Sequence, residues 1–184
     1  ILTRGFDLSL GFAVSLVSVV SAMAMVASGS AALGIAAGLG VGLAVGLANG
    51  VLIGGIGLNP LVTTLGMANI VMALASTLSD GFPVSGLPAG FTQAFAQATV
   101  LGLPSQLWIV ALLFVLGWGL LRATRLGRSL YIIGANPRAA VAAGINTFGV
   151  LVTAYTLSAV LTAVGALLLT ARTGSGEPNL GGNL

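Results

Sequence analysis

The sequence has 184 residues, of which 57% are hydrophobic and only 5% are charged, with a formal net charge of +3. A soluble domain usually carries about 25% charged residues, so this chain could not cover the surface of a water-soluble globule. It has no lysine, histidine or cysteine, which excludes the lysine-dependent phosphate loop of nucleotide hydrolases, zinc sites and thiol nucleophiles. Its few arginines form no dense patch that would indicate nucleic acid.

Long uncharged stretches separate the charged residues, at 8–79, 81–121 and 139–171. Because a membrane helix needs about 20 apolar residues, these stretches can hold three, one and one spans. The sequence therefore predicts an all-α, polytopic transmembrane helix bundle that forms one domain over residues 1–184. The predicted spans cover about 10–28, 31–55, 61–79, 105–121 and 147–171.

The second span carries a glycine at every fourth position. Lipid gives helices no hydrophobic drive to associate, so close backbone approach matters more, and glycines permit it. Four residues overshoot one helical turn, so the stripe spirals and suits several neighbours in succession. We predict a packing surface, with a gliding surface for helix motion as the alternative. The glycines are Gly34, Gly38, Gly42, Gly46, Gly50 and Gly54.

Neutral polar side chains recur in and beside the spans, whereas the three carboxylates are far apart in the sequence. This distribution argues against a paired-acid site or a proton relay inside the spans. Hydroxyl and amide groups suit a path for an uncharged polar solute, or hydrogen bonds between helices. The candidates near the third span are Asn59, Thr63, Thr64 and Asn69.

Residues 80–104 contain three prolines and several glycines, which predicts a loop. Within it, apolar residues recur at helical spacing and predict a short helix in the membrane interface. The residues of that apolar face are Phe91, Phe95, Ala98 and Leu101.

A basic loop is predicted at 122–146, and within it lies a strong local helix pattern. Gly134 is expected to break the chain, Asn136 to cap a helix whose first residue is Pro137, and Gly144 to end it. A helix of about two turns would not hold alone in water. It needs a surface to dock on, either within this protein or on another subunit.

The arginines fix one orientation of the five spans. With 122–146 in the cytoplasm, five of the six arginines are cytoplasmic and only Arg172 is outside. The opposite orientation reverses that ratio, and the positive-inside rule favours the first. The loop at 80–104 is then predicted to be periplasmic.

Four segments resemble the permeases of ribose-type ATP-binding cassette (ABC) importers for monosaccharides. They are GFDLSLG at 5–11, NPLVTTLGM at 59–67, TRLGRSLYIIGANPRAAVAAGIN at 124–146 and ARTGSGEPNLGGNL at 171–184. The third is the longest and most specific. Chains of that family are longer, so we expect an internal fragment, with further spans before residue 1 and after residue 184.

The resemblance implies a permease subunit of an ATP-driven importer in the bacterial inner membrane, which forms the path for a small neutral sugar and is not itself an enzyme. The short helix would insert into an ATP-binding cassette subunit, with no cofactor or metal in the permease. A second permease chain, as a homodimer, would complete the path. A periplasmic sugar-binding protein would deliver the solute near 80–104 and 172–184.

The resemblance also assigns roles to residues. Asp7 and Ser9 would cap the first span, with lining of the path as a second role. Arg125 and Arg128 would hold the basic loop against the partner or lipid phosphates, or simply follow the positive-inside rule. The residues implied in coupling are Arg125, Gly127, Arg128, Gly134, Asn136, Pro137, Ala139, Ala140 and Gly144.

The alternative function is a self-contained channel or secondary carrier for small polar solutes. A carrier would gain nothing from an isolated cytoplasmic helix of two turns, and it would more often carry charged residues inside its spans. A membrane scaffold is a further alternative, but it would not need so many hydroxyl and amide groups in the spans.

Overall fold

The computed structural model describes residues 5–183. Arg4, which was counted among the cytoplasmic arginines, lies outside the described residues, as do residues 1–3 and Leu184. The described part is almost entirely helical. Its α-helices are α1 (Ser9–Ser28), α2 (Ala31–Gly54), α3 (Pro60–Leu78), α4 (Ala89–Thr92), α5 (Ser105–Ala123), α6 (Arg125–Ala135), α7 (Pro137–Ala142) and α8 (Thr147–Thr173).

Five of these helices, α1, α2, α3, α5 and α8, are long and apolar enough to cross a membrane. Their ends lie within two residues of the predicted spans. Local chemistry explains several boundaries. Gly29 ends α1 in the left-handed conformation, with φ of 66°. The Asn59 side chain accepts the Leu61 N–H at 2.9 Å, and Pro60 occupies the first turn of α3.

Helix α1 lies at the centre of the bundle, against α2, α3 and α8. The six glycines of α2 face α1 first and then α8. A Cβ atom at Gly34 would collide with Met25 of α1, whereas one at Gly46 would lie 2.6 Å from the Thr156 Cα atom of α8. The stripe therefore passes from one neighbour to the next, as the overshoot of each four-residue step requires.

Helix α5 lies at the edge of the bundle, and none of its residues is buried within the described part of the chain. Its Gln106 side chain donates to the Leu168 carbonyl oxygen of α8 at 3.3 Å. Trp108 and Trp118 lie near opposite ends of the helix, as interfacial aromatic residues tend to do.

The helix predicted within 80–104 is shorter than its spacing indicated. Phe91 is buried and its ring lies 5.4 Å from that of Phe95, on α4 and the π-helical turn Gln93–Gln97 that continues it. Ala98 and Leu101 do not join this face. The chain becomes extended at Ala98, and Leu101 takes a positive φ of 53° with its side chain 86% exposed. A two-stranded hairpin of β1 (Thr99–Val100) and β2 (Leu103–Pro104) replaces the predicted last turn.

The basic loop predicted at 122–146 contains a second helix, α6, which the sequence analysis missed. Gly134 does not break the chain but lies inside α6, which ends one residue later at Ala135. The Thr124 hydroxyl caps the helix by accepting the Gly127 N–H at 3.2 Å. Burial of Leu130 and Ile133 holds the helix against the bundle despite its arginines and glycines.

Candidate functional site

The short helix α7 lies at the end of the bundle that also carries Arg122, Arg125 and Arg128, here called the basic end. The Asn136 side chain accepts the N–H groups of Arg138 at 3.0 Å and Ala139 at 3.2 Å. The Pro137 ring fixes φ at the first helical position. The start of α7 is therefore fixed by the residues that the sequence analysis selected.

The C-terminus of α7 is equally well defined. Gly144 has a positive φ of 74°, which suits glycine. Its N–H donates to the Val141 carbonyl at 3.0 Å, and the Ile145 N–H donates to the Ala140 carbonyl at 3.0 Å. These two bonds satisfy carbonyls that a helix end leaves without partners. A helix of six residues is thus closed at both ends by its own caps.

The two faces of α7 differ, and this corrects one assignment. Ala140 was selected as a docking residue, but it is fully buried, with 0% exposure, and faces the protein itself. Its neighbour Val141 is 63% exposed. Arg138 and Ala139 are exposed as well. A docking face on α7 would therefore consist of Arg138, Ala139 and Val141, while Ala140 anchors the helix.

Gly127 holds the corner between α5 and α6. A Cβ atom there would collide with the Leu121 backbone, so only glycine permits this approach. Arg125 and Arg128 are exposed on α6. The Arg122 guanidinium lies 5.6 Å from the centre of the Trp118 ring, a cation–π contact at the same end. Four arginines of the described residues thus lie on or beside the helices of the basic end.

A cavity of about 280 Å³ lies between α7 and the ends of the long helices. Pro137 and Val141 of α7 line one side, and Ile53, Pro60 and Tyr155 of α2, α3 and α8 line another. The lining is mostly apolar, and α7 also packs on α6 and α8. The ends of α2 and α3 thus face α7 across the cavity, whereas α8 contacts it directly.

A polar cluster joins the segment before α1 to α2. The Ser9 hydroxyl donates to an Asp7 carboxylate oxygen at 2.6 Å, and the Asn49 side-chain amide donates to the Ser9 hydroxyl oxygen at 2.8 Å. The same amide lies 3.4 Å from the other Asp7 oxygen. The Thr64 hydroxyl of α3 accepts the Leu8 N–H at 3.2 Å. The cluster thus connects α1, α2 and α3.

The residues predicted to line a path do not form one surface. Ser9 and Thr64 are fully buried within the cluster. Asn59 caps α3, and the Thr63 hydroxyl donates back to the Asn59 carbonyl oxygen at 2.9 Å. Asn69 alone lies on an exposed face of α3, which also carries Gly66, Ala73 and Ser76 at helical spacing. No signal in the sequence pairs Asn49 with Asp7.

The whole sequence, residues 1–184, matches the family described as branched-chain amino acid transport system / permease component. It is 39% identical over 182 residues to the ribose import permease protein of Bacillus subtilis strain 168, covering 98% of this chain and 56% of that protein. It is 38% identical over 174 residues to the L-arabinose transport system permease protein of Escherichia coli K12, covering 94% and 52%.

A further relative is the autoinducer 2 import system permease protein of Klebsiella pneumoniae, which is 36% identical over 190 residues, covering 100% of this chain and 57% of that protein. The chain thus spans a little more than half the length of these curated relatives. No solved structure matches it.

Proposed function

The chain belongs to the branched-chain amino acid transport system / permease component family, and we propose that it forms part of the membrane-spanning permease subunit of an ATP-driven importer for a small neutral sugar. The names of its relatives support this, because they include ribose and L-arabinose permeases. The sequence has no lysine for a phosphate-binding loop. We assign ATP hydrolysis to a separate ATP-binding cassette subunit, because the family and the relatives are described as permease components.

The observation that carries this proposal is the exposed face of α7. Caps at both ends and the buried Ala140 fix the helix in place. Val141, an apolar residue that also borders the cavity behind α7, is nonetheless 63% exposed beside Arg138. A rigid short helix with an exposed apolar residue suits insertion into a cleft of another protein. We assign that cleft to the ATP-binding subunit.

The contacts behind α7 suggest how ATP hydrolysis would reach the solute path. Closure of the ATP-binding subunits would push α7 against the cavity that Ile53, Pro60 and Tyr155 line on the far side. Packed helices respond by rigid-body shifts rather than by continuous deformation. The ends of α2, α3 and α8 would then move together and switch the access of the path.

Orientation follows from the arginines. Arg122, Arg125, Arg128 and Arg138 all lie at the basic end, whereas Arg172 lies at the opposite end. We place the basic end in the cytoplasm and the chain in the bacterial inner membrane. The segment at 80–104 and the C-terminal end of α8 then lie on the periplasmic side, where a sugar-binding protein would deliver the solute.

The exposed α3 face with Asn69 and Ser76 suits a solute path better than the buried cluster of Asp7, Ser9 and Thr64 does. A second copy of the permease would close such a path from the other side. In this arrangement the Asp7 cluster holds the beginning of α1 in position.

Reconstitution tests the proposal. The permease, with its ATP-binding subunit and binding protein, is placed in proteoliposomes, and uptake of D-ribose, L-arabinose and D-galactose is measured with ATP and with a non-hydrolysable analogue. Uptake of at least one of these sugars should require ATP hydrolysis. Equal uptake without ATP, or uptake that follows an ion gradient, would instead support a self-contained channel or secondary carrier.

A further inference from the structure

The segment after α8 does not form a surface loop but turns back into the bundle. Gly174 ends α8 with a positive φ of 72°, which reverses the chain direction. Gly176 then exchanges two backbone hydrogen bonds with Val84, of 2.9 and 2.8 Å. From there the chain follows α1 as far as Gly181, which packs on Gly11. We call residues 175–183 the re-entrant segment.

Small residues of α1 form the seat of this segment. The Ser15 hydroxyl oxygen accepts the Gly181 N–H at 2.8 Å, and the Ser18 hydroxyl oxygen accepts the Glu177 N–H at 3.1 Å. A Cβ atom at Gly176 would lie 2.5 Å from the Ala22 Cβ atom, so the contact requires glycine. Two span hydroxyls therefore satisfy backbone groups that no helix pairs.

The segment reaches about the middle of the bundle. Ser18 lies beside Thr170, with 2.7 Å between their hydroxyl oxygens, and α1 and α8 run in the same direction. Gly11 precedes Ser18 by seven residues, so it lies at about the level of Ala163, close to the centre of the 27-residue α8. Non-helical backbone at such depth occurs where it is buried in protein or lines a water-filled cavity.

One side of the segment is buried on α1, but the other side is polar. Asn179 and Gly182 are exposed, and Glu177 is half-buried. One Glu177 carboxylate oxygen accepts the Ser175 hydroxyl at 2.6 Å. Glu177 lies at the level of Ser18 and Thr170, three residues before the end of α8, and Asn179 follows it on the way to Gly181. A carboxylate and a carboxamide facing hydrocarbon are strongly disfavoured. The outward side therefore faces water or polar groups of the transporter rather than lipid.

We infer that the re-entrant segment lines the solute path from the end of α8 towards the middle of the membrane, and that Glu177 and Asn179 bind hydroxyl groups of the transported sugar. A carboxylate accepts hydrogen bonds and a carboxamide both donates and accepts them, which matches a neutral polyhydroxyl solute. The inference rests on the proposed function. It adds a second segment that would contact the solute, beside the exposed face of α3.

Thiol labelling tests the inference directly, since the sequence contains no cysteine. Asn179→Cys and Gly182→Cys are made singly in the membrane-inserted permease, assembled with its partners. Phe114→Cys is the matched control, because Phe114 is 74% exposed on α5 and faces away from the bundle. A membrane-impermeant thiol reagent is added from the periplasmic side, with and without sugar transport. ATP-driven uptake by the cysteine-free parent is measured in parallel.

Both variants of the segment should react at least about tenfold faster than Phe114→Cys, because the reactive thiolate needs water. Transport of D-ribose, L-arabinose or D-galactose, whichever the parent takes up, should slow the labelling. Slow labelling of both variants while the parent still takes up sugar would overturn the inference and leave the proposed function standing. Fast labelling that sugar does not slow would refute the assigned contact. Absent uptake by the parent would overturn the proposed function instead.

Discussion

The backbone N–H of Gly181 donates a 2.8 Å hydrogen bond to the hydroxyl oxygen of Ser15, across 166 positions of the sequence. The bond holds the re-entrant segment against the central helix α1. It also explains one of the span serines, which serves the backbone of this protein rather than a solute. Of the polar groups in the spans, the buried ones mostly hold the bundle together, and the exposed ones remain candidates for the proposed path.

The glycines of α2 allow a paired test of packing. Gly46→Ala should destabilise the permease by about 1–3 kcal/mol, because the added Cβ atom would lie 2.6 Å from the Thr156 Cα atom. Gly40 lies on the same helix with no atom within 4 Å of an added Cβ. Gly40→Ala should therefore be neutral or stabilise by up to about 1 kcal/mol, since alanine favours helix. Thermal unfolding of the purified permease measures both, and equal effects would disprove the packing role.

The hydrogen bonds around Asp7 predict that replacing Asn49 lowers the stability of the fold. Asn49→Leu should destabilise the bundle by about 1–3 kcal/mol, because it removes the donor to the Ser9 hydroxyl oxygen and leaves buried polar groups without a partner. Asn69→Leu is the control, since Asn69 is exposed and bonds only within its own helix, to the Leu65 carbonyl. Melting temperatures in detergent should fall for the first variant and not for the second. The opposite order would mean that the cluster contributes nothing to the fold.

Substitutions on the two faces of α7 should have different effects, one on uptake and the other on folding. Val141→Glu places a charge on the exposed face, so uptake driven by ATP should fall about tenfold or more while the yield of folded permease stays normal. Ala140→Leu overfills a buried site, so it should lower yield and thermal stability. Uptake assays and size-exclusion profiles separate the two effects. Normal uptake by Val141→Glu would argue against docking on this face.

The proposed orientation predicts which arginine is accessible from each side. Arg138→Cys should react with an impermeant thiol reagent only after the cells are permeabilised, whereas Arg172→Cys should react in intact spheroplasts. Both side chains are exposed, so a difference in labelling reports the side of the membrane and not burial. Reversed labelling would invert the bundle and place α7 outside the cell.

Hydropathy and turn chemistry predict the long helices well. Gly29 and the Asn59–Pro60 pair mark helix ends within the uncharged stretches, so the helices begin and end almost where the sequence indicates. The two ends of α7 follow from Asn136 and Gly144 for the same reason. Each of these signals is local, and a single sequence contains it in full.

The features that the sequence did not predict depend on tertiary contacts. Helix α6 was not predicted, because its glycines and arginines are typical of a loop. Its stability comes from burying Leu130 and Ile133 against the bundle. Whether the Ala140 side chain faces the protein or the solvent depends on how α7 packs against its neighbours. The pairing of Ser15 with Gly181 depends on a chain reversal at Gly174 that brings distant segments together.

Site-specific cross-linking from α7 shows whether this helix docks on the ATP-binding subunit. A photoreactive amino acid replaces Val141 in the assembled transporter, and in a matched sample it replaces Leu101, which is 86% exposed at the opposite end of the bundle. We expect cross-links from position 141 to the ATP-binding subunit and none to that subunit from position 101. Cross-links to that subunit from position 101, with none from position 141, would contradict docking through α7.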